Sequence, residues 1–117
     1  MSNPPLAEQH CVPCEAGTPA LGKEQAETLL GQLDGWSLQE AAGHLQIAKR
    51  FKFRNFVEAV DFVNRVTPVA EAEGHHPDLE VSWGRVLVQL WTHAAGGLTE
   101  NDFILAAKID RVAHPAS

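Results

Sequence analysis

The residues of this sequence that are best suited to chemistry lie in the segment Glu71-Ala-Glu-Gly-His-His-Pro-Asp78. His75 and His76 are adjacent, and imidazoles can both donate and accept protons near neutral pH. Gly74 allows the chain to turn sharply before the pair, because glycine tolerates unusual backbone angles. Pro77 holds the backbone of His76 extended, since the residue before a proline avoids the helical region. The segment is therefore a candidate for proton transfer.

Two later residues extend this candidate site. His93 follows an alternating apolar run that contains Gln89 and Trp91, so an aromatic wall can accompany a third imidazole. Asp102 is the fourth residue of Thr99-Glu-Asn-Asp, which is typical of the capping box at a helix start. Spacing alone leaves two interpretations open: structural polar residues, or a split acid–base site for a planar heterocyclic substrate.

A metal site is the competing hypothesis. His75, His76 and His93, with Glu71 or Asp78, are suitable ligand types for zinc. The sequence contains no HExxH or comparable spacing, however, and no GxSxG motif for nucleophilic hydrolysis. Adjacent side chains in an extended segment also point to opposite sides, which hinders convergence on one ion. The sequence therefore favours a site without metal.

The composition is that of an ordinary globular protein. The 117 residues are 44% hydrophobic and 21% charged, which predicts a single domain. A net charge of −6 argues against binding to nucleic-acid phosphates or to an anionic membrane surface. No apolar run approaches the ~18 residues of a membrane span, and no secretory signal is visible. We therefore expect a cytoplasmic location.

The first 20 residues differ from the rest of the chain. Residues 1–20 contain four of the seven prolines and no apolar periodicity, which predicts a flexible leader that activity does not require. Cys11 and Cys14, with His10, supply three ligands where a closed zinc site needs four, so we interpret both thiols as incidental. The predicted domain covers residues 21–113, and residues 114–117 form a tail. Three histidines are interpreted as solvated surface residues: His10, His44 and His114.

Apolar periodicity along the predicted domain indicates seven elements. The predicted helices cover a segment from an N-cap at Gly22 to a stop at Asp34-Gly35, a segment that starts at Asn55, and Phe103–Val112. The predicted strands cover Trp36–Leu38, Leu45–Phe53, Leu79–Trp83 and Val86–His93. Pro68 is expected to kink the second helix or to end it early, and the two apolar flanks of that helix are typical of contact with a partner subunit. The order α-β-β-α-β-β-α predicts an α+β fold: a four-stranded antiparallel sheet with three helices packed on one face.

A known family shares these features. The spaced series Glu71-x3-His75-His76-Pro77, Trp83, His93 and Asp102 resembles the signature of the pterin-4a-carbinolamine dehydratases. Further agreement comes from Gly35-Trp36, the stretch Phe51-Lys-Phe53-x2-Phe56 and GLTENDFILAAKID at 97–110. The resemblance covers residues 21–112 and implies the same α+β fold. Because family members are typically dimers of dimers, it also implies a homo-oligomer, either a dimer or a homotetramer.

The resemblance implies a reaction as well. Family members remove water from 4a-hydroxytetrahydropterin to give quinonoid dihydropterin, without metal or organic cofactor. The pterin substrate comes from aromatic amino acid hydroxylases, typically phenylalanine hydroxylase, so the implied role is tetrahydrobiopterin recycling. By resemblance, three histidines are catalytic: His75, His76 and His93. The resemblance places four substrate-binding or orienting residues around them: Glu71, Pro77, Trp83 and Asp102.

Roles within this set follow from the chemistry of dehydration. We expect His75 and His93 to form the acid–base pair and His76 to orient the pterin. Asp102 can serve both as a helix cap and as a carboxylate that orients an imidazole. The alternative is a non-catalytic pterin-binding module, or a transcription-factor dimerisation module such as animal members provide.

Overall fold

The computed structural model describes residues 5–12 and 19–113 of the chain. The elements are α1 (Lys23–Leu30), β1 (Ser37–Ala41), β2 (His44–Lys52), α2 (Phe56–Glu73), β3 (Asp78–Ser82), β4 (Arg85–Leu90) and α3 (Glu100–Ala113). Two short 3₁₀ turns complete them, at Leu6–Glu8 and His93–Ala95. Among the described residues, none of the helices is long and apolar enough to cross a membrane.

The four strands form one antiparallel sheet in the order β1-β2-β4-β3. Directly opposed residues share a face, so Ile47 opposite Leu90 and Phe51 opposite Val86 build one apolar side. The helices cover this side, and burying each large apolar side chain stabilises the fold by about 1.5–3 kcal/mol. The fully buried centre consists of Ile47, Phe62, Val66, Val86, Val88, Leu90, Leu98, Phe103, Leu105 and Ile109. The predicted fold class and element order are confirmed.

Helix α2 carries the chain directly to the histidine pair. It begins at Asn55, whose side-chain oxygen accepts a hydrogen bond from the Glu58 amide at 2.8 Å. It continues through Pro68 to Glu73, so the expectation of an early end at the proline is wrong. Gly74 ends the helix with φ +64°, a left-handed conformation that favours glycine. The next residue is His75, so the turn at the end of α2 sets its position.

Part of the predicted flexible leader is packed against the domain. Leu6 is only 6% exposed and belongs to the hydrophobic core, and the turn Leu6–Glu8 contacts α3. The Lys108 ammonium donates a hydrogen bond to the Ala7 carbonyl at 2.9 Å. Within the predicted leader, residues 5–12 are thus held against the domain by an apolar side chain and a partly buried cation. Residues 1–4 and 13–18, with Cys14, and the predicted tail 114–117 lie outside the described residues.

Candidate active site

A cavity of about 550 Å³ opens where the end of α2, the end of β4 and the start of α3 meet. Residues 73–78 and 91–94 form much of its lining, joined by Cys11, Val12 and Asn101. Of the three predicted catalytic histidines, His75 and His76 lie in the first segment. His93 lies in the second, 17 to 18 residues further along the chain. The fold therefore brings together imidazoles that the sequence separates.

A short contact at the cavity wall joins His75 to Asp102. The His75 Nε2 atom lies 2.6 Å from Oδ1 of Asp102, whose side chain is 0% exposed. The other oxygen, Oδ2, accepts hydrogen bonds from the Thr92 hydroxyl at 2.8 Å and the Thr99 amide at 3.0 Å. A buried carboxylate surrounded by three donors holds the imidazole with its proton on Nε2. In the neutral imidazole, the Nδ1 lone pair is then free to accept a proton.

Asp102 caps helix α3 and also binds the imidazole of His75. It lies in the first turn of α3 and accepts the Thr99 amide hydrogen, as the capping-box pattern predicts. The positive end of the helix dipole also favours its negative charge. Thr92 is the partner that the sequence analysis missed, because nothing in its local sequence indicates that it faces α3. Its hydroxyl lies 2.9 Å from the Thr99 hydroxyl, so β4 and α3 are linked beside the carboxylate.

His76 occupies a more open position. Its Nε2 atom lies 2.5 Å from Oε2 of Glu71, and the two side chains are 61% and 68% exposed. Ion pairs with this much exposure contribute little to stability, because water screens them. His76 and Pro77 line the cavity, whereas Glu71 supports His76 from outside it. The two adjacent imidazoles are thus bound by different carboxylates, one buried and one exposed.

His93 is the end member of a stack of three rings. Its ring centroid lies 3.8 Å from that of Trp91, and the opposite face of Trp91 lies 3.7 Å from His44. The interplanar angles are 19° and 18°, so the rings are nearly parallel. His44, predicted to be a solvated surface residue, is instead half-buried against the indole. Strand β4 ends at Leu90, before the predicted end at His93, because the chain turns out of the sheet there.

Trp83 is not brought to the cavity. It lies in the turn between β3 and β4, is 74% exposed, and lines a different depression beside Phe53. His93 follows the far end of β4, and a six-residue strand spans roughly 20 Å. Within this chain β4 therefore separates Trp83 from the histidines, and a role of Trp83 in substrate binding stays a prediction.

Cys11 and Val12 form a wall of the cavity that the sequence analysis missed. The Cys11 amide donates to Oε1 of Glu73 at 2.7 Å, and His10 Nδ1 lies 3.0 Å from Oε2. The Asn101 side chain accepts from the Val12 amide at 3.0 Å and donates to the Val12 carbonyl at 2.6 Å. Burial by itself would raise the pKa of Glu73. The hydrogen bonds from Cys11 and His10 and the nearby charge of Lys108 hold that pKa below its ordinary value.

The Cys11 thiol is expected to be unreactive. Burial, and then the negative charges of Glu73 and Asp102, raise its pKa from 9.0 to about 12. The thiolate fraction below pH 9 is then ~10³-fold smaller than for an ordinary thiol. In a Cys14→Ser variant, where Cys11 is the only cysteine, a thiol reagent at pH 8 should react far more slowly with the folded protein than with the urea-unfolded protein. Equal reaction rates for the folded and unfolded protein would contradict a buried Cys11 thiol beside negative charges.

The arrangement has no evident metal centre in the part of the chain that the structure describes. Within residues 5–12 and 19–113, no three His, Cys, Asp or Glu side chains are grouped as metal ligands would be. The cavity instead offers imidazoles, one of them hydrogen-bonded to a buried carboxylate, beside stacked flat rings. These groups can exchange protons with a planar molecule and hold it.

Comparisons with known proteins show the family to which the chain belongs. The sequence model of the family described as "Pterin 4 alpha carbinolamine dehydratase" matches residues 19–112. A Rickettsia canadensis protein, provisionally named a pterin-4-alpha-carbinolamine dehydratase, is 52% identical over 106 residues, covering 90% of this chain and 94% of that protein. A Rubrobacter xylanophilus protein with the same provisional name is 50% identical, covering 92% and 97%.

Solved structures show the same likeness. The crystal structure of a "transcriptional coactivator/pterin dehydratase" from Brucella melitensis is 35% identical with a TM-score of 0.72, covering 80% of this chain and 98% of that chain. A pterin dehydratase-like RuBisCO assembly factor of the alpha-carboxysome is 24% identical with a TM-score of 0.59, covering 70% and 93%; this likeness shows the fold alone.

Fold, cavity and relatives together define the class of this protein: it is a small α+β enzyme, a hydro-lyase. More specifically, the chain belongs to the pterin-4a-carbinolamine dehydratase family, whose sequence model spans nearly all of the described domain. Lyase chemistry on a pterin is the activity that this membership supports.

Proposed function

We propose that the chain dehydrates 4a-hydroxytetrahydropterin, the 4a-carbinolamine, to quinonoid dihydropterin by histidine acid–base catalysis. The observation that carries this proposal is the 2.6 Å contact between His75 and the fully buried Asp102 at the cavity wall. A buried carboxylate that orients an imidazole is suited to proton transfer, because it sets the tautomer and stabilises the protonated ring.

The proton movements are balanced within the reaction. One proton goes to the leaving 4a-hydroxyl, the carbon–oxygen bond breaks, and water departs. One proton leaves the neighbouring ring nitrogen, so no oxidant or reductant is required. We assign the removal to His75, because Asp102 stabilises its imidazolium, and the donation to His93, whose exposure allows it to regain a proton from solvent. His76 and Pro77 would orient the pterin at the rim.

Because both steps are proton transfers, we propose that neither metal nor organic cofactor takes part. Exhaustive chelation of the purified enzyme is therefore expected to leave the dehydration rate unchanged. The measurement is the rate before and after treatment with EDTA followed by gel filtration. A loss of activity that zinc restores would overturn the cofactor-free assignment.

The physiological setting is part of the same proposal. We infer a cytoplasmic enzyme that recycles tetrahydrobiopterin for aromatic amino acid hydroxylation, with a functional link to phenylalanine hydroxylase. We also infer a homo-oligomer, a dimer or tetramer. Two exposed apolar side chains on α2 support association between copies: Phe56 is 54% exposed and Val57 is 76% exposed.

A stopped-flow assay tests the activity. The 4a-carbinolamine is generated by a hydroxylase, and its dehydration is followed by absorbance with and without the protein. A clear acceleration is expected; an unchanged rate would contradict the proposal.

The alternative is a non-catalytic pterin-binding or transcription-factor dimerisation module, and the Brucella relative is described as a coactivator as well as a dehydratase. Binding of pterins without acceleration would favour that alternative.

A further inference from the structure

We propose that Cys11 and Val12 form a substrate-contacting wall of the cavity, in which Val12 touches the pterin ring and Glu73 is the positioning residue that holds the wall. The identity of the ligand rests on the proposed function. The wall precedes residues 19–112, the part of the chain that the family model matches, so family membership does not assign this role.

Val12 is held in a way that serves a ligand rather than the core. Its side chain is 67% exposed although it is apolar, and it lines the cavity that contains the histidines. Both of its backbone polar groups are bound by the single side chain of Asn101, at 3.0 Å and 2.6 Å. These two hydrogen bonds fix the direction of the isopropyl group. An apolar side chain presented at a cavity in this way supplies contact area for a flat heterocycle.

Glu73 ties the wall to the turn that carries His75. It is the last residue of α2, directly before Gly74, and its side chain is only 7% exposed. Its carboxylate receives the Cys11 amide hydrogen and lies beside the ring of His10. The Lys108 ammonium lies 3.6 Å from the same carboxylate and also binds the Ala7 carbonyl. A buried carboxylate needs such partners, so loss of its oxygens would release the segment.

The wall makes a specific kinetic prediction. Val12→Ala is expected to raise KM about three- to tenfold while kcat stays within about twofold, because a lost apolar contact weakens substrate and transition state equally. Val57→Ala is the matched control, since Val57 is also exposed, at 76%, but lies on α2 away from the cavity. Equal KM values for Val12→Ala and the wild type would overturn the inference.

A second pair of variants tests the positioning residue. Glu73→Ala should raise KM by at least as much as Val12→Ala, whereas Glu73→Gln should recover most of the loss, because its amide oxygen can still accept the Cys11 hydrogen. In the Cys14→Ser background, Cys11 should react faster with a thiol reagent in Glu73→Ala than in Glu73→Gln. If Glu73 had a purely structural role, both variants would lose stability. They would then not differ from each other in KM or in the reactivity of the Cys11 thiol.

Equilibrium binding separates this inference from the proposed function. The probe is 7,8-dihydropterin, which cannot be dehydrated, titrated into the wild type, Val12→Ala and Val57→Ala. If the wild type binds it, Val12→Ala weakens binding and dehydration is not accelerated, the proposed function fails and the wall stands. If the wild type is active and Val12→Ala matches it in both KM and Kd, the wall fails and the function stands. A wild type that neither binds nor turns over pterins overturns both.

Discussion

Replacing His75 by alanine is expected to lower kcat by ~10²-fold or more, the usual contribution of a general acid–base group. His75 is the imidazole that Asp102 orients, at 2.6 Å, and its lone pair on Nδ1 is the proposed proton acceptor. The measurement is stopped-flow dehydration at saturating pterin, with circular dichroism to confirm that the fold is retained. Substitution by alanine also removes one partner of a buried carboxylate, so unfolding should become easier by about 1–3 kcal/mol.

Two variants separate the chemical effect of this change from the structural one. His75→Gln keeps an amide donor for Asp102 and should recover stability without recovering kcat, since an amide does not exchange protons near neutral pH. His114→Ala changes a histidine beyond the residues that the family model matches and should retain the wild-type rate. A wild-type kcat in His75→Ala would remove His75 from the proposed mechanism.

Asp102→Asn is expected to reduce kcat by ~10- to 100-fold, because second-layer carboxylates of this kind set the basicity and orientation of the imidazole. All three of its partners are donors: His75 Nε2, the Thr92 hydroxyl and the Thr99 amide. An asparagine would oppose one of these donors with its own NH₂ group. The free energy of unfolding should therefore fall by about 1–3 kcal/mol, measured by urea denaturation.

The matched control for this variant lies on the same helix. Asp110 accepts hydrogen bonds from the Trp36 indole at 2.9 Å and the Lys49 ammonium at 2.8 Å, near the other end of α3 and outside the cavity lining. Asp110→Asn should lower stability while leaving kcat unchanged. If Asp102→Asn kept full activity, or if Asp110→Asn lost as much, the catalytic importance of the buried carboxylate would be contradicted.

A double variant tests whether His75 and Asp102 act as one unit. If they do, His75→Ala with Asp102→Asn should be only as slow as His75→Ala alone, because the carboxylate acts through the imidazole. If the two substitutions instead multiply their reductions in kcat, Asp102 contributes independently of His75.

Local sequence patterns predicted the elements correctly because periodicity is a short-range property. Apolar residues at helical spacing indicated α2, and alternation over residues 86–90 indicated β4. The glycine at position 74 and the capping pattern before Asp102 also predicted where the chain turns and where α3 starts. These features depend on residues within a few positions of each other.

Local patterns did not indicate the contacts between distant parts of the chain. The leader was expected to be flexible because it is rich in proline, yet Cys11 is bound to Glu73, 62 positions away, and Val12 to Asn101, 89 positions away. His44 was interpreted as a surface residue, but the fold stacks it on Trp91. Trp83 was grouped with the histidines by resemblance, and β4 holds it at the other end of the sheet.

By itself, the sequence determined the element order, the fold class and the family, and it identified the three histidines and Asp102 as candidates. Each of these follows from local periodicity or from a spaced motif. Only the tertiary structure decided which carboxylate binds which imidazole, and that Cys11 and Val12 close one side of the cavity. Those contacts depend on where α2, β4 and α3 end relative to one another, and packing of the whole core sets those positions.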